Sequence, residues 1–157
     1  MTETTTMEIS TKRFGVVEIE DDLILDFPDG LLGFSDASRF ALIHPSDDSS
    51  LLWLQSIDDP NLAFVVADPT DFVPDYTVST RPEMASDLGL KPETLDQDWQ
   101  PLVICNRSEG WLTGNMLGPL MIHVESRRGL QVVLTDQKWG TKHPLLDLNP
   151  QPLRKSA

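Results

Sequence analysis

Short apolar runs alternate with clusters of Gly, Pro and Asp along this chain, at intervals of about ten residues. The runs with the clearest strand character are residues 14–19, 23–27, 51–57, 62–67, 111–113, 120–124 and 130–134. Many short strands at even spacing are typical of all-β proteins. The pattern therefore predicts a mainly β fold, a small antiparallel β-barrel-like or roll domain with one or two short helices.

Two connections between these runs predict how strands pair. The sequence Asp58-Asp59-Pro60-Asn61 separates two runs that are apolar on both faces, which predicts a hairpin of central strands. Gly118-Pro119 and the segment 126–129 separate the last three runs. We therefore expect these three runs to form a C-terminal meander.

One segment has the pattern of a helix. Thr80 followed by Glu83 fits a capping box, and Gly89 can end the helix in a left-handed conformation. This predicts a helix over residues 81–88 that buries Met84 and Leu88, which are four residues apart. A single further turn is expected over residues 35–39.

The length of 157 residues favours one domain. Residues 1–10 are Thr-rich and aperiodic, and we expect a disordered N-terminal arm there. Residues 11–147 would then form a single β domain, and residues 148–157 a flexible tail.

The net charge of the chain argues against some classes of binding partner. The chain has 25 acidic and 12 basic residues and a net charge of −13, and the whole excess lies in residues 1–78, where 16 acidic residues face three basic ones. This argues against direct binding of nucleic acid, which requires Lys and Arg, and against a polybasic membrane-binding surface. A solubilising face and a face for a basic protein both remain open.

Candidate chemistry is sparse. Nucleotide-binding glycine motifs are absent, and the single cysteine, Cys105, excludes an internal disulfide and a cysteine-based zinc site. His44, His123 and His143 lie too far apart to suggest a metal site. We therefore expect no cofactor, no metal and no enzymatic activity. The N-terminus lacks the features of a secretory signal, and no apolar run is long enough to span a bilayer, so we expect a cytoplasmic location.

Two alternatives from other functional classes remain. One is a small acidic hydrolase that uses an Asp pair with His123 or His143. The other is a glycan-binding barrel that uses tryptophans in or beside loops, such as Trp99, Trp111 and Trp139. Neither alternative has a motif in its favour.

Four strings of residues, in order, resemble the flagellar assembly factor FliW family. They are Lys12-Arg13-Phe14-Gly15, the segment 27–34 (FPDGLLGF), the segment 52–76 beginning LWLQSIDDPNLAFVV, and the segment 118–145 with RRGLQVVL and KHPL. The resemblance extends over residues 11–146. The chain departs from the family pattern at His123, where an Asn is usual, at Leu130, where an Arg is usual, and over residues 105–115.

The resemblance implies a β-barrel-like, non-enzymatic, cytoplasmic protein that binds flagellin before export. It also implies binding of the translational regulator CsrA, a basic RNA-binding dimer that represses flagellin synthesis, with flagellin and CsrA excluding one another. Such a protein would be a partner switch and would act on RNA only through CsrA. We expect a monomer.

The predicted partner-binding residues follow from charge and from the resemblance together. For CsrA they are the acidic and aromatic residues of the first half, Asp21, Asp22, Asp47, Asp48, Asp71, Phe72, Asp75 and Tyr76. For flagellin, whose termini are amphipathic helices, we expect an apolar groove in the C-terminal meander formed by Ile122, Val124 and Val132.

Overall fold

The computed structural model of the chain describes residues 5–46, 49–135 and 138–149. Over these residues it contains eleven strands and one α-helix. The strands are β1 Thr6–Thr11, β2 Gly15–Glu20, β3 Ile24–Asp26, β4 Arg39–Ile43, β5 Leu51–Ser56, β6 Ala63–Ala67, β7 Trp99–Ser108, β8 Trp111–Gly114, β9 Leu120–His123, β10 Arg128–Gln131 and β11 His143–Asp147. The helix α1 spans Pro82–Asp87, and short 3₁₀ turns span Asp21–Leu23, Pro69–Asp71 and Pro92–Asp96.

Seven of the strands close into a barrel in the order β7-β6-β5-β4-β3-β10-β9, and β9 pairs again with β7. Neighbouring strands are antiparallel except β3 and β10, which are parallel and meet at Asp26 and Arg128. Closure leaves the barrel strands without an open edge. The predicted mainly β, barrel-like fold is confirmed.

The long strand β7 determines how the C-terminal part is arranged. Its first half pairs with β9, and its second half, Cys105 to Ser108, pairs with β8 along the same edge. Strand β8 pairs in turn with β11. The predicted meander is therefore correct for the β9–β10 hairpin and wrong for β8, because β8 and β9 pair with successive halves of one β7 edge and not with each other.

The first two strands form a hairpin on the outside of the barrel. Every residue from Thr6 to Thr11 pairs with β2, and Ile9 and Ile19 are buried together with Ala41 of β4. The prediction of a disordered arm is therefore wrong for residues 6–10. Burial of Ile9 against the barrel, with polar neighbours facing solvent, stabilises this segment. Residues 1–4 of the predicted arm lie outside the described residues.

The predicted central hairpin is confirmed as β5 and β6, paired from Leu51↔Ala67 to Gln55↔Ala63. The predicted helix is also present, with Met84 and Leu88 buried. It begins at Pro82, and its N-cap is Arg81 and not Thr80, because proline is favoured at the first helical position.

Two smaller predictions differ from the structure in part. Residues 35–39 form no helix: the Ala37 N–H donates to the carbonyl of Phe34 at 3.2 Å in a single turn, and Arg39 already belongs to β4. The predicted tail is anchored at its first residue, where the Leu148 N–H donates to the carbonyl of Gly110 at 2.8 Å. Residues 150–157 of that tail lie outside the described residues.

The barrel interior is filled by one apolar cluster. Its buried members are Leu25, Phe27, Leu31, Phe40, Leu54, Val66, Leu102, Leu120 and Ile122. Leu31 comes from the loop of residues 28–36 that follows β3, which we call the plug loop because it inserts this side chain into the barrel. Helix α1 covers a second face, where Met84 and Leu88 contact Met121 and Leu130.

Candidate functional site: the open mouth of the barrel

The end of the barrel at which β3 begins contains a cavity of about 410 Å³. Strands present alternate residues to the inside of a barrel, so each strand contributes its last or first inward residues here. The floor is apolar and consists of Leu25, Leu42, Leu52, Leu102 and Ile122. We call this cavity, with its rim, the barrel mouth.

Charged side chains form the rim of the barrel mouth. Asp22 comes from the 3₁₀ turn before β3, and Asp68 and Asp71 lie at the two ends of the segment that follows β6. Arg127 is the cationic member of the rim. Three carboxylates against one guanidinium leave the rim net negative, above an apolar floor.

The acidic turn after β6 is held by its own side chain. The Asp68 carboxylate accepts hydrogen bonds from the Thr70 N–H at 2.9 Å and from the Thr70 hydroxyl at 2.7 Å. Asp68 is thus the N-cap of the Pro69–Asp71 turn. This positions Asp71, which is exposed, at the cavity entrance.

The structure joins two sites that the sequence analysis treated as separate. Asp22 and Asp71, predicted for CsrA, line the same cavity as Ile122 and Val124, predicted for flagellin. Val124 is 50% exposed at the entrance, whereas Ile122 is buried in the floor.

The remaining predicted acidic residues do not line this cavity. Asp21 is exposed beside Asp22 in the same 3₁₀ turn, and Asp75 is exposed further along the chain. Asp47 and Asp48 lie outside the described residues.

The two aromatic residues predicted for CsrA, Phe72 and Tyr76, pack against one core cluster. Tyr76 is only 2% exposed, its hydroxyl donates to the carbonyl of Met116 at 2.7 Å, and its ring packs edge-on against Trp139. It therefore supports the core and is not exposed to a partner. Phe72, which is half-buried, packs against the same cluster.

Val132 is also misplaced by the sequence prediction. It is buried on the outer face of the barrel, in the cluster covered by α1, together with Leu130 and Met84. Leu130 and Val132 share a face because side chains alternate along an extended segment, and α1 covers that face. Val132 therefore does not belong to a groove with Ile122 and Val124.

Sequence reasoning missed three ionisable residues of the barrel mouth: His44, Asp68 and Arg127. His44 and Asp68 could have been found, since each follows an apolar strand at the spacing of two that continues its inward face. No pattern in the sequence indicates that Arg127 belongs to the barrel mouth. It lies in the β9–β10 turn at φ +60°, and its N–H donates to the carbonyl of His123.

Among the residues that the structure describes, neither His123 nor His143 pairs with a carboxylate. His123 is buried; its Nε2 lies 2.7 Å from the Gln97 Oε1, and its Nδ1 lies 2.7 Å from the Ser126 hydroxyl. These contacts occupy both ring nitrogens and give the ring a structural role. The His143 ring packs against Trp139 at 5.3 Å. Neither arrangement supports the hydrolase alternative.

The described residues support neither a reactive cysteine nor a metal site. Burial raises the pKa of the Cys105 thiol to about 12, so the reactive thiolate is scarce at neutral pH. Within the described ranges, no three His, Cys, Asp or Glu side chains are grouped as a metal site requires. In the same part of the chain, no helix is both long enough and apolar enough to cross a membrane.

Comparison with known proteins agrees with this architecture. The family model described as FliW protein matches residues 8–145. The flagellar assembly factor FliW of Treponema denticola is 39% identical over 144 residues, covering 89% of this chain and 94% of the relative. The corresponding protein of Caldanaerobacter subterraneus subsp. tengcongensis is 35% identical over 142 residues, covering 90% and 94%.

A solved structure supports the fold directly. The crystal structure of a flagellar assembly factor FliW superposes with a TM-score of 0.78 at 31% identity, covering 89% of this chain and 97% of that one. Because the match covers nearly the whole of both chains, it extends well beyond any single supersecondary motif. The chain therefore belongs to the FliW family of flagellar assembly factors.

Proposed function

We propose that this protein is a cytoplasmic, monomeric, non-enzymatic factor that binds flagellin and, when free of flagellin, binds and antagonises CsrA. Its membership of a family of flagellar assembly factors supports the general role. The observation that carries the specific role is the barrel mouth, where an apolar floor and an acidic rim form one site. No catalytic step is required, because two competing binding equilibria transmit the signal.

The floor and the rim are suited to different features of the two partners. An apolar side chain of an amphipathic flagellin helix would enter the cavity, and full burial of one such side chain stabilises a complex by about 1.5–3 kcal/mol. The acidic rim would attract the basic surface of CsrA and increase the association rate. Each exposed ion pair contributes only about 0–1 kcal/mol, so several must act together.

Overlap at one mouth gives a physical reason for exclusion of one partner by the other. A cavity of about 410 Å³ accommodates a few side chains and cannot hold segments of two proteins at once. Occupation of the floor by flagellin would also cover the rim carboxylates of Asp22 and Asp71. Release of flagellin would expose both features to CsrA.

Calorimetry of the purified protein with flagellin and CsrA from the same organism, separately and in competition, tests this proposal. The double reversal Asp22→Lys and Asp71→Lys, which leaves the Asp68 cap intact, should slow CsrA association and flatten its salt dependence. The matched control changes net charge equally at exposed sites away from the mouth: Asp29→Lys and Asp87→Lys. Equal loss in both variants would mean that only overall charge matters, and unchanged kinetics in the mouth variant would refute the rim as the CsrA site.

A second pair of variants tests the apolar part. Val124→Arg places a charge at the cavity entrance, whereas Val133→Arg makes the same change at a site that does not line the cavity. The two valines are 50% and 54% exposed, so both variants should fold. We expect flagellin affinity to fall about tenfold or more for Val124→Arg only, which corresponds to the loss of one buried apolar contact. Equal affinities of the two variants would exclude the mouth as the flagellin site.

A further inference from the structure

A second cavity, of about 440 Å³, lies on the outside of the barrel where the β1–β2 turn meets the β5–β6 turn. Its walls include Lys12, Arg13, Trp53, Gln55, Pro60 and Asn61, and we call it the hairpin pocket. None of its lining residues lines the barrel mouth. It is therefore a separate candidate site, to which the proposed function assigns no role.

Hydrogen bonds hold the backbone around the hairpin pocket in place. The Lys12 N–H donates to the carbonyl of Pro60 at 2.9 Å, which joins the two turns. The Thr11 hydroxyl accepts from the Phe14 N–H at 2.7 Å and donates to the carbonyl of Gly15 at 2.8 Å. These two hydrogen bonds connect both sides of the β1–β2 turn and fix its conformation. The two basic side chains therefore project from a fixed backbone.

The hairpin pocket contains two of the three basic side chains of residues 1–78. Residues 1–78 contain three basic residues, and one of them, Arg39, pairs with Asp58 at 3.0 Å. The other two, Lys12 and Arg13, pair with no carboxylate of the described residues. The Arg13 guanidinium lies 4.1 Å from the ring centre of Trp53, which holds it at the pocket wall. A local cationic site thus interrupts a strongly acidic surface.

One wall of the hairpin pocket is a buried amide. Gln55 is fully buried, and its Nε2 lies 3.1–3.3 Å from the carbonyl oxygens of Ser56, Asp59, Pro60 and Leu62. These contacts hold the β5–β6 turn, which forms one side of the pocket, in a fixed position.

We propose that the hairpin pocket binds an acidic peptide segment of a partner protein. Carboxylates of such a segment would pair with Lys12 and Arg13, and its apolar atoms would pack on Trp53. Charge complementarity favours this occupant. A nucleic acid would also bring anions, but its long phosphate backbone would be repelled by a chain of net charge −13.

With the hairpin pocket, the protein has two binding sites that favour partners of opposite charge. The barrel mouth, with Asp22, Asp68 and Asp71 on its rim, favours basic partners, whereas the hairpin pocket favours acidic segments. Loss of binding at one site leaves the other intact, since they share no lining residue. The two proposals can therefore fail separately.

Titration of the ¹⁵N-labelled full chain with the peptide acetyl-Gly-Glu-Glu-Gly-amide, followed by NMR, tests the proposal. The glutamine counterpart of the peptide and inorganic phosphate are the two comparison ligands. We expect saturable shifts at the backbone amides of residues 12–15, 59 and 61–63 and at the Trp53 indole, identified with Trp53→Phe. The neutral peptide should give no such shifts, and phosphate should bind more weakly because it has no apolar atoms to pack on Trp53.

Charge variants then assign the binding to the pocket. The double variant Lys12→Glu, Arg13→Glu should raise the dissociation constant of the acidic peptide about tenfold or more, since two charge-assisted contacts are lost. In the matched control, Arg107→Glu and Lys91→Glu, both residues are exposed and lie outside the pocket, so affinity should be unchanged. Absence of saturable shifts, retention of binding in the double variant, or phosphate binding as tight as the acidic peptide would each overturn the proposal.

Discussion

The plug loop provides a test of how the barrel is closed at the end away from the mouth. Gly30 adopts φ +69°, and a Cβ atom built on it would lie 2.6 Å from the carbonyl oxygen of Phe34 and 2.7 Å from backbone atoms of Ser35. These neighbours are main-chain atoms, so they cannot move aside without opening the turn. The next residue, Leu31, is the one that the loop inserts into the barrel core.

The expected cost of Gly30→Ala has two parts. A left-handed conformation costs a residue with a Cβ about 1–2 kcal/mol, and overpacking against fixed neighbours costs about 1–3 kcal/mol. We therefore expect Gly30→Ala to lower the free energy of unfolding by about 2–5 kcal/mol. That is a large part of the roughly 5–15 kcal/mol typical of a domain.

Gly33 is a matched control in the same loop. It has φ +84°, but a Cβ added there would meet no atom within 4 Å beyond its chain neighbours in the described ranges. Gly33→Ala should therefore carry only the conformational cost of about 1–2 kcal/mol. Urea unfolding followed by tryptophan fluorescence measures both values, with the slope of the transition as a check on two-state behaviour. Equal destabilisation by the two variants would refute the argument that close backbone packing at Gly30 holds the plug loop.

The remaining predictions concern buried groups. Burial raises the pKa of Tyr76 from 10.0 to about 12, so phenolate absorbance of this single tyrosine should appear only near pH 12 in the folded protein. The preference for the protonated form stabilises the fold below pH 10, and this contribution should be lost as pH rises through about 12. A native titration near pH 10 would contradict this. Tyr76→Phe leaves the Met116 carbonyl without its donor, so thermal unfolding should show a loss of about 1–3 kcal/mol. Cys105 should resist thiol reagents until urea unfolds the chain, since it is 3% exposed and burial raises its pKa to about 12; rapid native labelling would contradict its burial.

The local sequence pattern was sufficient to predict several secondary-structure elements. The β5–β6 hairpin, the helix that buries Met84 and Leu88, and the left-handed Gly89 at its end were all predicted, because each depends on residues close in sequence. The mainly β class followed from the spacing of apolar runs in the same way. Four ordered strings were also enough to identify the FliW family.

Tertiary structure decided which of these pieces meet. The pairing of β8 with β11 and the parallel contact of β3 with β10 each join residues far apart in sequence, and the contact of β3 with β10 follows from barrel closure. Burial of Tyr76 and Val132 depends on the segments that cover them, which a single apolar residue does not reveal.

The candidate sites follow the same division. Sequence located the acidic excess in residues 1–78 and selected Asp22, Asp71 and Val124 one by one. Only the closed barrel brings them to one cavity, because strand ends that are distant in sequence converge on the same rim. Likewise, Lys12 and Gln55 become walls of one pocket because the outer hairpin docks on the β5–β6 turn. The sequence by itself determined the elements and the charge, and the packing of non-local segments determined the sites.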